Sequence, residues 1–120
     1  MIKAIYQSLA ERKQQHKKSF AVLIDPDKVN DGNMKKLIEL AVDARVDYFL
    51  VGGSLVISNY LDECVQFIKR SCTIPVILFP GNTLQVNLKA DGILLLSLIS
   101  GRNADLLIGK HVEVAHLLHK

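Results

Sequence analysis

Two hydrophobic rhythms alternate along this chain. Short apolar runs at residues 20–24, 48–51, 75–79 and 92–98 read as strands, and between them apolar side chains return every three or four residues, as on one face of a helix. Ahead of the first run, Ile2, Ile5, Tyr6 and Leu9 share a helical face, and residues 11–18 then turn polar, as in a helix leading into solvent. A second helix carries Met34, Leu37, Ile38, Ala41 and Val42 inward, with Asn30 or Asp31 placed to cap its orphan N–H groups. Val56, Ile57, Tyr60, Leu61, Cys64, Val65 and Ile68 mark the buried face of a third. A short helix over 83–88 and a last one over 105–119, with Leu107, Ile108, Val112, Ala115 and Leu118 inward, complete the pattern. Such alternation predicts an α/β fold of parallel strands joined by crossover helices.

Composition narrows the class. The 120 residues, 49% hydrophobic and 22% charged, suffice for one core and predict a single domain. The net charge is +3, and the lysines are dispersed apart from Lys13, Lys17 and Lys18, so no nucleic-acid partner is expected. No apolar run approaches the roughly 18 residues of a membrane span, and the first residues lack the apolar stretch and cleavage site of a signal peptide. A cytoplasmic location without a transmembrane segment is the expectation. Cys64 and Cys72 lack metal-ligand spacing and read as reduced thiols.

Every predicted strand ends in a polar or glycine-rich cluster. These are Asp25-Pro26-Asp27-Lys28, Gly52-Gly53-Ser54, Pro80-Gly81-Asn82, and Ser97 with Ser100-Gly101-Arg102-Asn103. In a parallel α/β arrangement the carboxyl ends of the strands share one side, so the four clusters should converge on one site. Each has a local explanation as well. Proline fixes φ and aspartates bond nearby N–H groups in turns, and paired glycines serve βα turns that need positive φ or close backbone approach. Asp25, however, lies directly at the end of an apolar strand, where a carboxylate needs a donor or a cation. Mg²⁺ suits that position, since it prefers hard oxygen ligands and takes only one or two from protein when substrate phosphates and water complete its shell. His111, His116 and His119, at spacings of five and three, read as surface residues rather than ligands. Cys64 reads as a small core residue, Cys72 has no neighbouring base, and no nucleophile triad is visible.

The segments LIDPDK, VGGSL, PVILFPGN and ADGILLLSLISGRNADLLIG, in this order across residues 20–109, resemble the first half of the geranylgeranylglyceryl phosphate synthase family and its heptaprenylglyceryl phosphate synthase relatives. The resemblance implies a TIM barrel of eight β/α units, of which residues 1–120 would be the N-terminal half with four strands. It implies a prenyltransferase that joins the 3-hydroxyl of sn-glycerol 1-phosphate to geranylgeranyl or another polyprenyl diphosphate with Mg²⁺, giving an ether-lipid precursor. Carried over by position, it makes Asp25 and Ser54 the Mg²⁺ ligands, with Lys28, Gly53, Asn82 and Arg102 in contact with substrate and Ser97 at the barrel mouth. No general base is assigned. One branch of the family has a lysine two places before the metal-binding aspartate; Leu23 stands there in this chain.

A full barrel takes on the order of 200 to 250 residues. The 120 residues alone are therefore expected to be inactive, and their open sheet edges to favour a homo-oligomer or a complementing C-terminal half. Two competing readings remain. A receiver-like signalling domain also places acids after its first strand and binds Mg²⁺, but it needs an aspartate ending the third strand, where this chain has Phe79-Pro80-Gly81. A non-catalytic half-barrel assembly module is the other.

Overall fold

The computed structural model describes residues 2–53, 58–81 and 87–95, with side chains from Ala4 onward and, in the third helix, from Tyr60. Within them the predicted alternation is realised. Helix α1 spans Ile2–Gln14, strand β1 Ala21–Ile24, a single 3₁₀ turn Pro26–Lys28, and helix α2 Asp31–Asp43. Strand β2 is Tyr48–Val51, helix α3 Ser58–Ser71, strand β3 Val76–Leu78 and strand β4 Gly92–Ile93.

All neighbouring strands are parallel and lie in the order β1-β2-β3-β4. A receiver-like sheet would seat β1 between β2 and β3; here β1 is at the edge, which removes that reading. Right-handed crossovers between strands that advance in one direction put every connecting helix on the same face. The register shows which side chains meet them. Val22, Phe49 and Val76 align, as do Ile24, Val51, Leu78 and Ile93. These residues pack with Met34, Ile38 and Ala41 of α2 and Leu61, Cys64, Val65 and Ile68 of α3. Phe49, Val65, Ile68 and Val76 are fully buried, each worth about 1.5–3 kcal/mol relative to exposure.

The helix ends follow local chemistry. Asn30, not Asp31, is the cap of α2, its Oδ1 accepting the Asn33 N–H at 3.0 Å. Helix α1 lies against the amino ends of the strands: Ser8 Oγ and Tyr48 Oη share a 2.8 Å hydrogen bond, and Arg12 pairs with Asp47 at 3.1 Å while Asp47 Oδ2 accepts the Phe20 N–H. Asp91 does the same for the other side, accepting from Val76 N–H at 2.8 Å and from Lys69 at 2.6 Å. These carboxylates tie the bottom of the sheet.

Several expectations are corrected. Strand β1 starts at Ala21 rather than Phe20, β3 loses Pro75 and Phe79, and β4 ends at Ile93, with residues 96–98 outside the described part. Residues 82–86 also lie outside it, and Leu88 and Lys89 form a turn held by Asn87 Oδ1 accepting the Lys89 N–H, not the end of a helix. Val42 and Tyr60 are exposed, because Val42 sits on the flank of the Ile38–Ala41 stripe and Tyr60 on the first turn of α3 lines a groove. Tyr6 and Leu9 of α1 are exposed as well. The helix over 105–119 and its histidines lie outside the described residues.

Candidate functional site

The hydrogen-bond ladder continues past the ends of the strands. Gly52 N–H donates to the Ile24 carbonyl at 3.1 Å, Phe79 N–H to Val51 at 2.8 Å and Leu94 N–H to Leu78 at 2.9 Å. Asp25, Gly52-Gly53, Phe79-Pro80-Gly81 and Leu94 therefore stand side by side on one carboxyl-terminal rim. Of the four predicted clusters, the rim gathers the first, the second as far as Gly53 and the third as far as Gly81. Ser54, Asn82, Ser97 and Arg102 lie outside the described residues.

Gly52 has a specific reason to lack a side chain. Its φ is +156°, and a Cβ there would stand 2.0 Å from the Phe79 carbonyl oxygen. The backbone of β2 is thus pressed against the exit of β3, and only glycine permits the approach.

Asp25 is held by the turn it starts. Its Oδ1 accepts the Asp27 N–H at 3.1 Å, and its carbonyl accepts the Lys28 N–H at 3.0 Å. Pro26 sits at the first position of the 3₁₀ turn, where no N–H is needed. Asp25 Oδ2 is 3.8 Å from Lys28 Nζ, a loose pair whose lysine is 82% exposed. A carboxylate offers about four lone-pair sites, and this one, 29% exposed, still faces solvent. Among the described residues no three His, Cys, Asp or Glu side chains form a metal cage. The hard-oxygen character of Asp25 fits Mg²⁺, which accepts one or two carboxylates with other oxygens filling the shell.

A groove of about 650 Å³ opens beside the rim, between the Pro26–Lys28 turn, the start of α2 and α3. Met34, Cys64 and Phe67 give it apolar walls, and Asp27, Asp31 and Glu63 give it carboxylates, so it does not suit an anion. The sequence reading passed over this groove; its signal was the spacing of Tyr60, Cys64 and Phe67 along one side of α3. Burial pushes the Cys64 thiol up to about 11, which keeps it protonated and unreactive at neutral pH. Cys72 is half-buried, and its thiol donates to the Ile68 carbonyl.

Comparison with known proteins adds identity to this geometry. A geranylgeranylglyceryl phosphate synthase from Chitinophaga pinensis is 56% identical over 116 residues, covering 97% of this chain and 46% of the relative. One from Flavobacterium johnsoniae is 38% identical over 120 residues, covering 100% and 49%. The chain spans about half the length of the curated relatives it matches. Among solved structures, (S)-3-O-geranylgeranylglyceryl phosphate synthase from Thermoplasma acidophilum in complex with substrate sn-glycerol-1-phosphate superposes with a TM-score of 0.80 at 33% identity, over 90% of this chain and 44% of that one. Wild-type GGGPS from Thermoplasma volcanium gives 0.81 at 30% identity, over 92% and 46%. The sequential parallel sheet is thus four strands of a TIM barrel. A model of the PcrB family matches residues 12–120, nearly the whole chain including the rim, and the chain belongs to that family.

Proposed function

We propose that this chain supplies the diphosphate-binding rim of a prenyltransferase that joins a geranylgeranyl or similar polyprenyl group to sn-glycerol 1-phosphate. The observation that carries the reading is Asp25, a carboxylate fixed by its own turn at the carboxyl end of β1 and set beside Gly52-Gly53. The activity of the relatives supports the chemistry, and the rim supports the place.

Asp25 and Ser54 would hold Mg²⁺. When bound, the ion supplies positive charge against the diphosphate as that group leaves. The residues around it bind and orient. Lys28, on the same turn as Asp25, offers a flexible ammonium to the outer phosphate oxygens, an attraction that water and salt weaken. Gly53 brings backbone to the rim without a side chain in the way, and Asn82 and Arg102 follow the other strand ends as phosphate and hydroxyl contacts. In the reaction the allylic C–O bond to diphosphate breaks, the 3-hydroxyl oxygen of the glycerol phosphate bonds to that carbon, and the hydroxyl proton is released. The 120 residues alone are expected to turn over little, and later β/α units would complete the glycerol phosphate pocket.

The test incubates the chain with Mg²⁺, labelled geranylgeranyl diphosphate and sn-glycerol 1-phosphate, with and without the later β/α units of a relative supplied as a second polypeptide. Ether product should appear with the second polypeptide and vanish for Asp25→Asn. Product of equal yield from Asp25→Asn, or with the divalent ion chelated, refutes the assignment.

A further inference from the structure

The uppermost interior layer of the sheet has an order of its own. Ile24, Val51, Leu78 and Ile93 align in register and pack toward the helices. The next residue on each strand, Asp25, Gly52, Phe79 and Leu94, therefore belongs to the barrel side. Asp25 keeps an extended backbone, with φ −93° and ψ 113°, and Gly52, Phe79 and Leu94 each donate an N–H to the strand before, so the alternation holds past the strand ends. Phe79 is accordingly absent from the helix-packed core that holds Phe49 and Phe67.

Across this level the chemistry runs from a carboxylate, through a position with no side chain, to an aromatic ring and then an aliphatic one. Neighbouring strands lie about 4.8 Å apart, so the backbones at Asp25 and Phe79 stand about 10 Å from each other. Only Gly52 comes between them, and its contact with the Phe79 carbonyl admits no side chain. A polyprenyl diphosphate has the same order: charge at one end, hydrocarbon at the other, and between them the allylic carbon whose bond breaks. Laid along the rim with its diphosphate toward Asp25 and its chain toward Leu94, it sets that carbon beside Phe79.

We infer that Phe79 is a further catalytic residue, its ring facing the allylic carbon and stabilising the positive charge that develops there. The inference rests on the prenyl-transfer reading. As the electron pair of the C–O bond leaves with the diphosphate, the allylic carbon is electron-poor until the 3-hydroxyl oxygen bonds to it and sheds its proton. The face of an aromatic ring carries negative charge density and attracts a cation, most strongly where water is excluded. A hydroxyl or a second carboxylate would attract it too, but could bond to the carbon; a phenyl ring has no lone pair to give. One layer below, Leu23, Leu50 and Ile77 are aliphatic, as is usual inside such barrels, and the ring enters at the level of the carboxylate.

The experiment uses the chain complemented by the later β/α units of a relative, with Mg²⁺, and measures binding of two probes. One is N,N-dimethylgeranylgeranylamine with inorganic diphosphate, whose ammonium stands for the charged carbon; the other is geranylgeranyl diphosphate, neutral at that carbon. Phe79→Leu should weaken the ammonium probe about three- to thirtyfold, the range of a cation on an aromatic face, and leave the neutral one within about twofold. In the ether-forming assay kcat should fall by a similar factor with KM unchanged. It should fall stepwise when position 79 carries mono-, di- and trifluorinated phenylalanine, which keep the ring's shape and drain its face of negative charge. Equal binding of the ammonium probe by Phe79→Leu, an equal loss for both probes, or a flat fluorine series overturns the inference and leaves the prenyl-transfer reading standing. A wild-type pair that forms no ether product overturns that reading, and the inference with it. Should Phe79→Leu fail to fold, the fluorinated chains, nearly the size of the original, decide alone.

Discussion

Replacing Gly52 with alanine is the sharpest stability test of the rim, because the structure states what the added methyl would hit. The new Cβ would stand 2.0 Å from the Phe79 carbonyl oxygen and 2.7 Å from its carbon, whereas real Cβ contacts stay beyond 3.0 Å. Both obstacles are backbone, so no rotamer relieves them, and the exits of β2 and β3 must separate by about 1 Å to restore contact distance. That movement stretches the ladder bond between the two strands, Phe79 N–H to Val51, now at 2.8 Å. It is worth about 1 kcal/mol net, and a non-glycine residue held at this φ adds about 1–3 kcal/mol. Against these, alanine gains about 0.4–1 kcal/mol by restricting the unfolded chain. The balance is a loss of about 1–3 kcal/mol, a large share of the 5–15 kcal/mol of a typical domain. Urea unfolding followed by circular dichroism measures it. Gly32→Ala is the control: Gly32 lies in the first turn of α2, its added Cβ would meet only Asn30 Oδ1 at an ordinary 3.6 Å, and helix propensity predicts a gain of roughly 0.5 kcal/mol. A Gly52→Ala loss below about 1 kcal/mol would refute the claim that backbone contact, rather than chance, keeps glycine there.

Three further outcomes are expected. Asn30→Ala should cost about 1 kcal/mol in the same urea assay, since it orphans the Asn33 N–H at the start of α2. Asp62 is held below the usual carboxylate range first by the Asn87 amide and then by Lys89, so its contribution is present above the ordinary aspartate value of about 3.9 and lost as the pH falls through the native one. Asp62→Asn should therefore lower the urea midpoint at neutral pH, and the gap to wild type should close in acid. Cys64, raised to about 11 by burial, keeps a proton that the unfolded chain releases above about 8.5. Stability should fall as the pH climbs between those two values, and Cys64→Ala should flatten that fall.

The core was legible in the sequence because the two hydrophobic rhythms are burial patterns. Phe49 and Val51 alternate with Leu50, and Ile38 and Ala41 return on the helical period, so local spacing alone placed β2 and the buried side of α2. What spacing could not show depends on partners distant along the chain. The position of α1 is set by Asp47, Tyr48 and Gly92, residues that nothing in the first helix announces. The exposure of Tyr60 comes from a groove that exists only once α3 packs beside the Pro26–Lys28 turn. Gly52 was readable as a glycine required by close approach, but not the atom approached. Of the candidate site, the meeting of the first three strand ends followed from parallel topology.

Asp25 posed a choice between turn chemistry and a cation, and the geometry makes the first a condition for the second. A carboxylate at the end of a solvent-facing loop would sample many rotamers, and any ion binding it would have to freeze them. Here the Asp27 N–H holds Oδ1 and Pro26 fixes the backbone, so the side chain is already oriented and Oδ2 is left with only the loose Lys28 pair. Among the described residues its ion pair is with Lys28, 3.8 Å away on a side chain that solvent largely surrounds, a weak partner in water. A turn that uses one oxygen to hold the side chain preorganises the other, and preorganisation reduces what binding a cation would have to fix.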